Sequence, residues 1–85
     1  MTPREAEGAM KAILALPFRG EPEWIAAVDC VRHAAPDDEI AHGMQDDLLR
    51  RALQDIAGGM PGTDAQAVAQ RVLEVFSIEF SRWCV

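Results

Sequence analysis

Proline placement constrains this chain more than any other feature. Pro3, Pro17, Pro22, Pro36 and Pro61, together with the Gly58-Gly59 pair, cut its 85 residues into short segments. Proline suits the first turn of a helix and is excluded from its interior. No segment alternates apolar and polar residues with a period of two, so strands are not expected. Thr2-Pro3-Arg4-Glu5 reads as a capping box with proline at the first helical position. Ala6, Met10, Ile13 and Leu14 then recur at helical spacing, which predicts helix one over 3–16, ended by Pro17. Phe18-Arg19-Gly20 makes a turn, and Pro22 opens helix two, with Trp24, Ile25, Val28, Val31 and Ala35 on one face and Cys30 on its flank.

The stretch 36–57 is ambiguous. Leu48, Leu49, Ala52, Leu53 and Ile56 form one stripe, and a continuous helix would leave Ile40 and Met44 out of phase with it. The reading is therefore a short helical turn at 36–42, a break at Gly43, and helix three at 45–57. Ile40 and Met44 would then form a small exposed apolar patch. Gly58-Gly59 ends that helix in a left-handed cap. Thr63-x-x-Gln66 resembles a second capping box, and helix four is placed from 64 to about 82, with Val68, Val72, Leu73, Phe76, Phe80 and Trp83 as its apolar stripe. It is expected to be the central helix, with Phe76 in the core. Within that arc Glu79 is an anomaly, matched either by Arg82 in solvent or by a contact surface shared with Phe80 and Trp83. The expected fold is all-α: a bundle of four main helices plus one short helical turn, in a single domain over 1–85.

Size and composition narrow the function classes. A domain of this length buries only about 60–65% of its unfolded surface, which leaves little material for a deep substrate pocket. Nearly half the residues are hydrophobic, too many for a disordered chain. No long uncharged apolar run suggests a membrane span, and Arg4, Glu5, Glu7 and Lys11 interrupt any leader-like segment. Two cysteines, Cys30 and Cys84, are too few for a disulfide scaffold, so a cytoplasmic setting with free thiols is expected. Seven of the eight basic residues are Arg, which with 14 Ala points to a GC-rich, bacterial or phage coding sequence.

Catalytic signatures are missing. The glycines at 58, 59 and 62 lack the lysine and preceding strand of a phosphate loop. Ser77 and Ser81 are surrounded by no nucleophile motif. The chain is therefore expected not to be an enzyme and to have no catalytic residue and no cofactor. Cys30, His33, His42 and Cys84 could in principle supply two thiolates and two imidazoles to a tetrahedral metal. Asp38 or Glu39 with His42 has similar spacing. Surface histidines beside acids account for the same residues, and no metal site is assigned.

The charge map carries the strongest signal. Eight acids lie between Glu21 and Asp47, namely Glu21, Glu23, Asp29, Asp37, Asp38, Glu39, Asp46 and Asp47, opposed by Arg32 alone. That third of the chain holds more than the whole net charge of −6. Phosphate affinity needs a basic stripe, so direct nucleic-acid binding is not expected, and neither is membrane binding. An acidic face suits a basic protein surface. In size, acidity and lack of catalytic groups the chain resembles phage-encoded inhibitors such as anti-CRISPR proteins, a likeness of class without a motif. The expected function is a protein-binding inhibitor or adaptor that docks on a basic, nucleic-acid-binding surface through Glu21, Glu23, Asp37, Asp38, Glu39, Asp46 and Asp47. The alternatives are a metal-binding or redox module using Cys30, His33 and His42, and a self-assembling, homo-oligomeric structural subunit.

Overall fold

The computed structural model describes residues 1–78. Expectations placed on Glu79, Phe80, Ser81, Arg82, Trp83 and Cys84 lie outside the described residues. The described chain is all-α: α1 (Pro3–Leu14), α2 (Glu21–Ala34), α3 (Asp38–Ala57) and α4 (Gly62–Leu73), followed by a 3-10 turn over Glu74–Ser77. No helix among these residues is long and apolar enough to cross a membrane.

The first helix starts as its sequence dictates. The Thr2 hydroxyl accepts from the Glu5 N–H at 3.2 Å, and the Glu5 carboxylate accepts from the Thr2 N–H at 2.8 Å. The Thr2 N–H, and after it the Thr2 hydroxyl, hold the Glu5 carboxyl below the usual carboxylate pKa. The second helix is capped differently. Gly20 precedes it, and the Glu23 carboxylate accepts from the Gly20 N–H at 2.7 Å.

The third helix corrects the sequence reading. There is no break at Gly43, and Asp38–Ala57 is one continuous helix capped by Asp37, whose carboxylate accepts from the Ile40 N–H at 3.1 Å. Ile40, Met44, Leu48 and Ala52, spaced four apart, form a ridge that stays buried along its length. Such a ridge drifts about 40° per step, so the buried side rotates as the helix crosses its neighbours. Ile40 and Met44 are core residues and not an exposed patch, while Leu53, assigned inward from the stripe, faces solvent. Gly43 lies on the outer face, where it leaves the helix intact.

Centrality belongs to α2 and not to α4. It packs against all three other helices and the 3-10 turn. Trp24, Ala27, Val28, Cys30, Val31 and Ala34 are all buried, whereas Ile25 is exposed. Around α2 close Ala6, Met10 and Leu14 from α1, the α3 ridge, and Val68, Val72, Val75 and Ile78.

The fourth helix begins at Gly62 after Pro61, so Thr63 lies inside it and makes no capping box. Nor does the α-helix run on to 82. Val72, Val75 and Ile78 repeat every three residues and are all buried, a spacing that a 3-10 turn places on one side. The Ser77 hydroxyl donates to the Glu74 carbonyl at 2.7 Å within that turn. Tightening sends Leu73 and Phe76 outward. Phe76 is 54% exposed and is not the core residue the helical stripe implied.

Candidate functional site

The seven acids expected to form one face are divided by the fold. Three residues join α2 to α3, and Arg19, just before α2, contacts Asp55 near the end of α3. The two helices therefore run antiparallel, and the start of α2 lies about 20 Å from its end. Glu21 and Glu23 sit at one end, and Asp37, Asp38 and Glu39 at the other. Glu23 caps α2, and Glu21 faces Arg71 at 3.7 Å. These two acids serve the fold at the far end from the others.

The remaining five cluster on the α2–α3 turn and the first half of α3. Asp37 acts as the helix cap and is half-buried, as is Asp38, which also has a partner of its own. Glu39, Asp46 and Asp47 are exposed. At 100° per residue they lie around Gly43 on the outward side of α3. The Asp46 carboxylate faces the His42 Nε2 at 3.7 Å, and Asp47 faces Arg50 at 3.7 Å. Gly43 gives this acidic patch a low centre, with open space where a side chain would stand. Beyond Asp47 the helix changes sign: a notch of about 360 Å³ is lined by Lys11, Arg50 and Arg51 together with Asp47.

The groups considered for metal binding do not converge. Cys30 is buried against the core, and burial pushes its thiol pKa up, with the neighbouring Asp29 adding to the rise. His33 lies outside, 3.4 Å from Asp29, and His42 is on another helix beside Asp46. Among the described residues no three His, Cys, Asp or Glu side chains are gathered as a metal site would need.

Two arrangements were not legible beforehand. Arg71 donates to Glu74 at 2.9 Å and also faces Glu21, while Arg32 faces Asp29 and Glu74. Arg71 reaches the start of α2 and Glu74 reaches Arg32 near its end, so the end of α4 lies across the middle of α2. The other is Arg19. Its guanidinium is buried, forks onto Asp55, donates to the Leu14 and Leu16 carbonyls, and stands 5.8 Å from the Trp24 ring centre. No local pattern signals a partner so distant in sequence.

No family model matches the chain, and no curated protein or solved structure is significantly similar to it.

Proposed function

We propose that the chain is a small acidic protein-binding module, an inhibitor or adaptor that docks on a basic, nucleic-acid-binding surface of another protein. The observation that supports this reading is the exposed acidic patch of Glu39, Asp46 and Asp47, with Asp37 and Asp38 at its edge, in a chain of net charge −6. Carboxylates arrayed on one helix face present negative charge at intervals that basic side chains can meet. The notch of Lys11 from α1 with Arg50 and Arg51 from α3, adjoining the patch at Asp47, would repel a basic surface docked in the wrong orientation. The reading is of action by occupancy, as for the phage-encoded inhibitors the chain resembles in class.

The test begins with the partner captured from the native host. Glu39→Lys, Asp46→Lys and Asp47→Lys together should weaken its binding by about tenfold or more, equivalent to about 1.4 kcal/mol. Asp37 is left in place because it caps α3. Raising salt from about 0.05 to about 0.5 M should slow association, since exposed charges are screened over that range. Nucleic acid bound by the partner should compete. Binding that ignores salt, all three reversals and nucleic acid would overturn the proposal.

A further inference from the structure

A groove of about 610 Å³ opens between the α1–α2 turn and the α3–α4 turn. Pro17, Phe18, Met60, Pro61 and Val68 supply its apolar surface. Phe18 is 78% exposed, more than any other large hydrophobic side chain among the described residues. A phenyl ring standing in solvent on the edge of a concavity adds nothing to the core. It offers apolar area that a partner can cover.

The charge of this groove is one-sided. Glu21, Asp55 and Asp64 line it, with Arg19 as the sole cation. That cation is already engaged, holding Asp55 through two nitrogens and the Leu14 and Leu16 carbonyls through the third. The 20-residue α3 also ends here, with no basic residue in its last turn. Its carbonyl end carries the equivalent of about half a negative charge. Asp64 sits in the first turn of α4 and offsets the positive start of that helix. Glu21 stands likewise in the first turn of α2, with Arg71 at 3.7 Å. The α3 carbonyl end has no basic side chain against it, and the groove lining as a whole keeps two more acids than bases. The Gly58-Gly59 turn lines the groove as well. Gly59 has φ +105° and open space where a Cβ would stand, so its backbone is open to close approach.

We propose that this groove seats an arginine of a partner protein, adjacent in that partner to an apolar residue that packs on Phe18. Guanidinium suits the site better than ammonium because its plane can lie on the Phe18 ring while its N–H groups reach carboxylate and carbonyl oxygens. The proposal rests on the protein-binding reading. It adds a second contact at the other end of α2, about 12 Å along α3 from Asp47 at the near edge of the acidic patch.

The probe is the peptide acetyl-Leu-Arg-Leu-amide, titrated into the isotopically labelled full chain and followed by amide NMR. Acetyl-Leu-Gln-Leu-amide and acetyl-Leu-Glu-Leu-amide serve as controls. Expected is saturable, millimolar-range movement of the amides of Phe18–Glu21, Gly58–Met60 and Asp64, with affinity about fivefold or more below this for the Gln peptide. Phe18→Ala should lose most of that response. Because Phe18 is exposed, this variant keeps its fold, which its unchanged remaining spectrum would verify. Equal response to the Arg and Glu peptides, or no response at these amides, would overturn the groove proposal. Movement confined to residues 37–47 would also overturn it while leaving the acidic-patch reading standing. Conversely, a normal groove response in the triple α3 reversal, together with unchanged partner binding, would keep the groove and remove the patch.

Discussion

Arg19 and Asp55 lie 36 residues apart in sequence and meet through two N–H···O bonds of 3.0 and 2.9 Å. The pair is nearly dry, with side chains 6% and 19% exposed. Such a pair adds little net stability over apolar packing, but removing one member leaves the other buried and uncompensated. Asp55→Ala should therefore cost about 3 kcal/mol, the lower end for a broken buried pair, since Asp55 retains some water contact. Arg19→Lys should recover little, because an ammonium cannot fork onto Asp55 and also meet both the Leu14 and Leu16 carbonyls. Urea denaturation of the two variants checks this. A loss below about 0.5 kcal/mol in both would contradict the assignment.

Glycine at 43 makes a separate prediction. It sits in a helix interior, and an added Cβ would meet nothing within 4 Å. Gly43→Ala should stabilise the protein by about 1 kcal/mol. Gly59→Ala should do the reverse, because φ +105° disfavours a side chain whatever the space around it. Thermal midpoints moving in opposite directions are the expected result.

Core and surface aromatics should part company. Trp24 is fully buried in α2 and Phe76 is half-exposed on the 3-10 turn. Trp24→Ala should cost about 3–5 kcal/mol or prevent folding. Phe76→Ala should cost about 1 kcal/mol or less. Equal losses would mean that the period-three packing of Val72, Val75 and Ile78 is wrong.

Asp37 tests structure against charge. As the α3 cap it accepts the Ile40 N–H. Asp37→Ala should cost about 1 kcal/mol, whereas Asp37→Asn keeps an acceptor oxygen and should retain most of that. Both remove the same charge. If partner binding falls equally in the two while only the alanine variant is less stable, its cap and charge roles are separable.

Cys30 predicts a pH dependence on the alkaline side. Burial raises the folded-state thiol pKa above its unfolded value, helped by Asp29. The folded chain then keeps a proton that the unfolded chain releases. This contribution to stability is intact below the ordinary thiol pKa and is lost as pH rises through the folded value. In a Cys84→Ser background, Cys30→Ala should flatten the alkaline fall in denaturation midpoint and leave the pH slope near neutrality unchanged. An identical alkaline slope in both proteins would contradict this.

Much of the fold was legible because local rules set it. Pro3 with Thr2, the Pro17 stop, and Gly58-Gly59 each marked a boundary by backbone chemistry, close to where the structure has it. The middle of the chain misled because periodicity assumes a fixed buried direction, and the Ile40–Ala52 ridge winds around α3 instead. At the end of α4, the 3.6-residue period gives way to a 3-10 turn at Glu74. Val72, Val75 and Ile78 carried the three-residue alternative. The acidic segment was legible as composition but not as a surface, since sequence proximity did not reveal that α2 separates Glu21 and Glu23 from Asp37–Glu39. Arg19 with Asp55, and Arg71 with Glu21, were invisible because no short-range rule pairs residues across that distance.

The Arg19 guanidinium ties the end of α1, the start of α2 and the last turn of α3 to a single planar group. The two turns that wall the groove are consequently fixed relative to each other before anything enters it. Preorganisation of this kind lowers the ordering entropy that an incoming side chain would otherwise have to overcome. A shallow recess in an 85-residue chain can in that way hold a weak contact in one orientation.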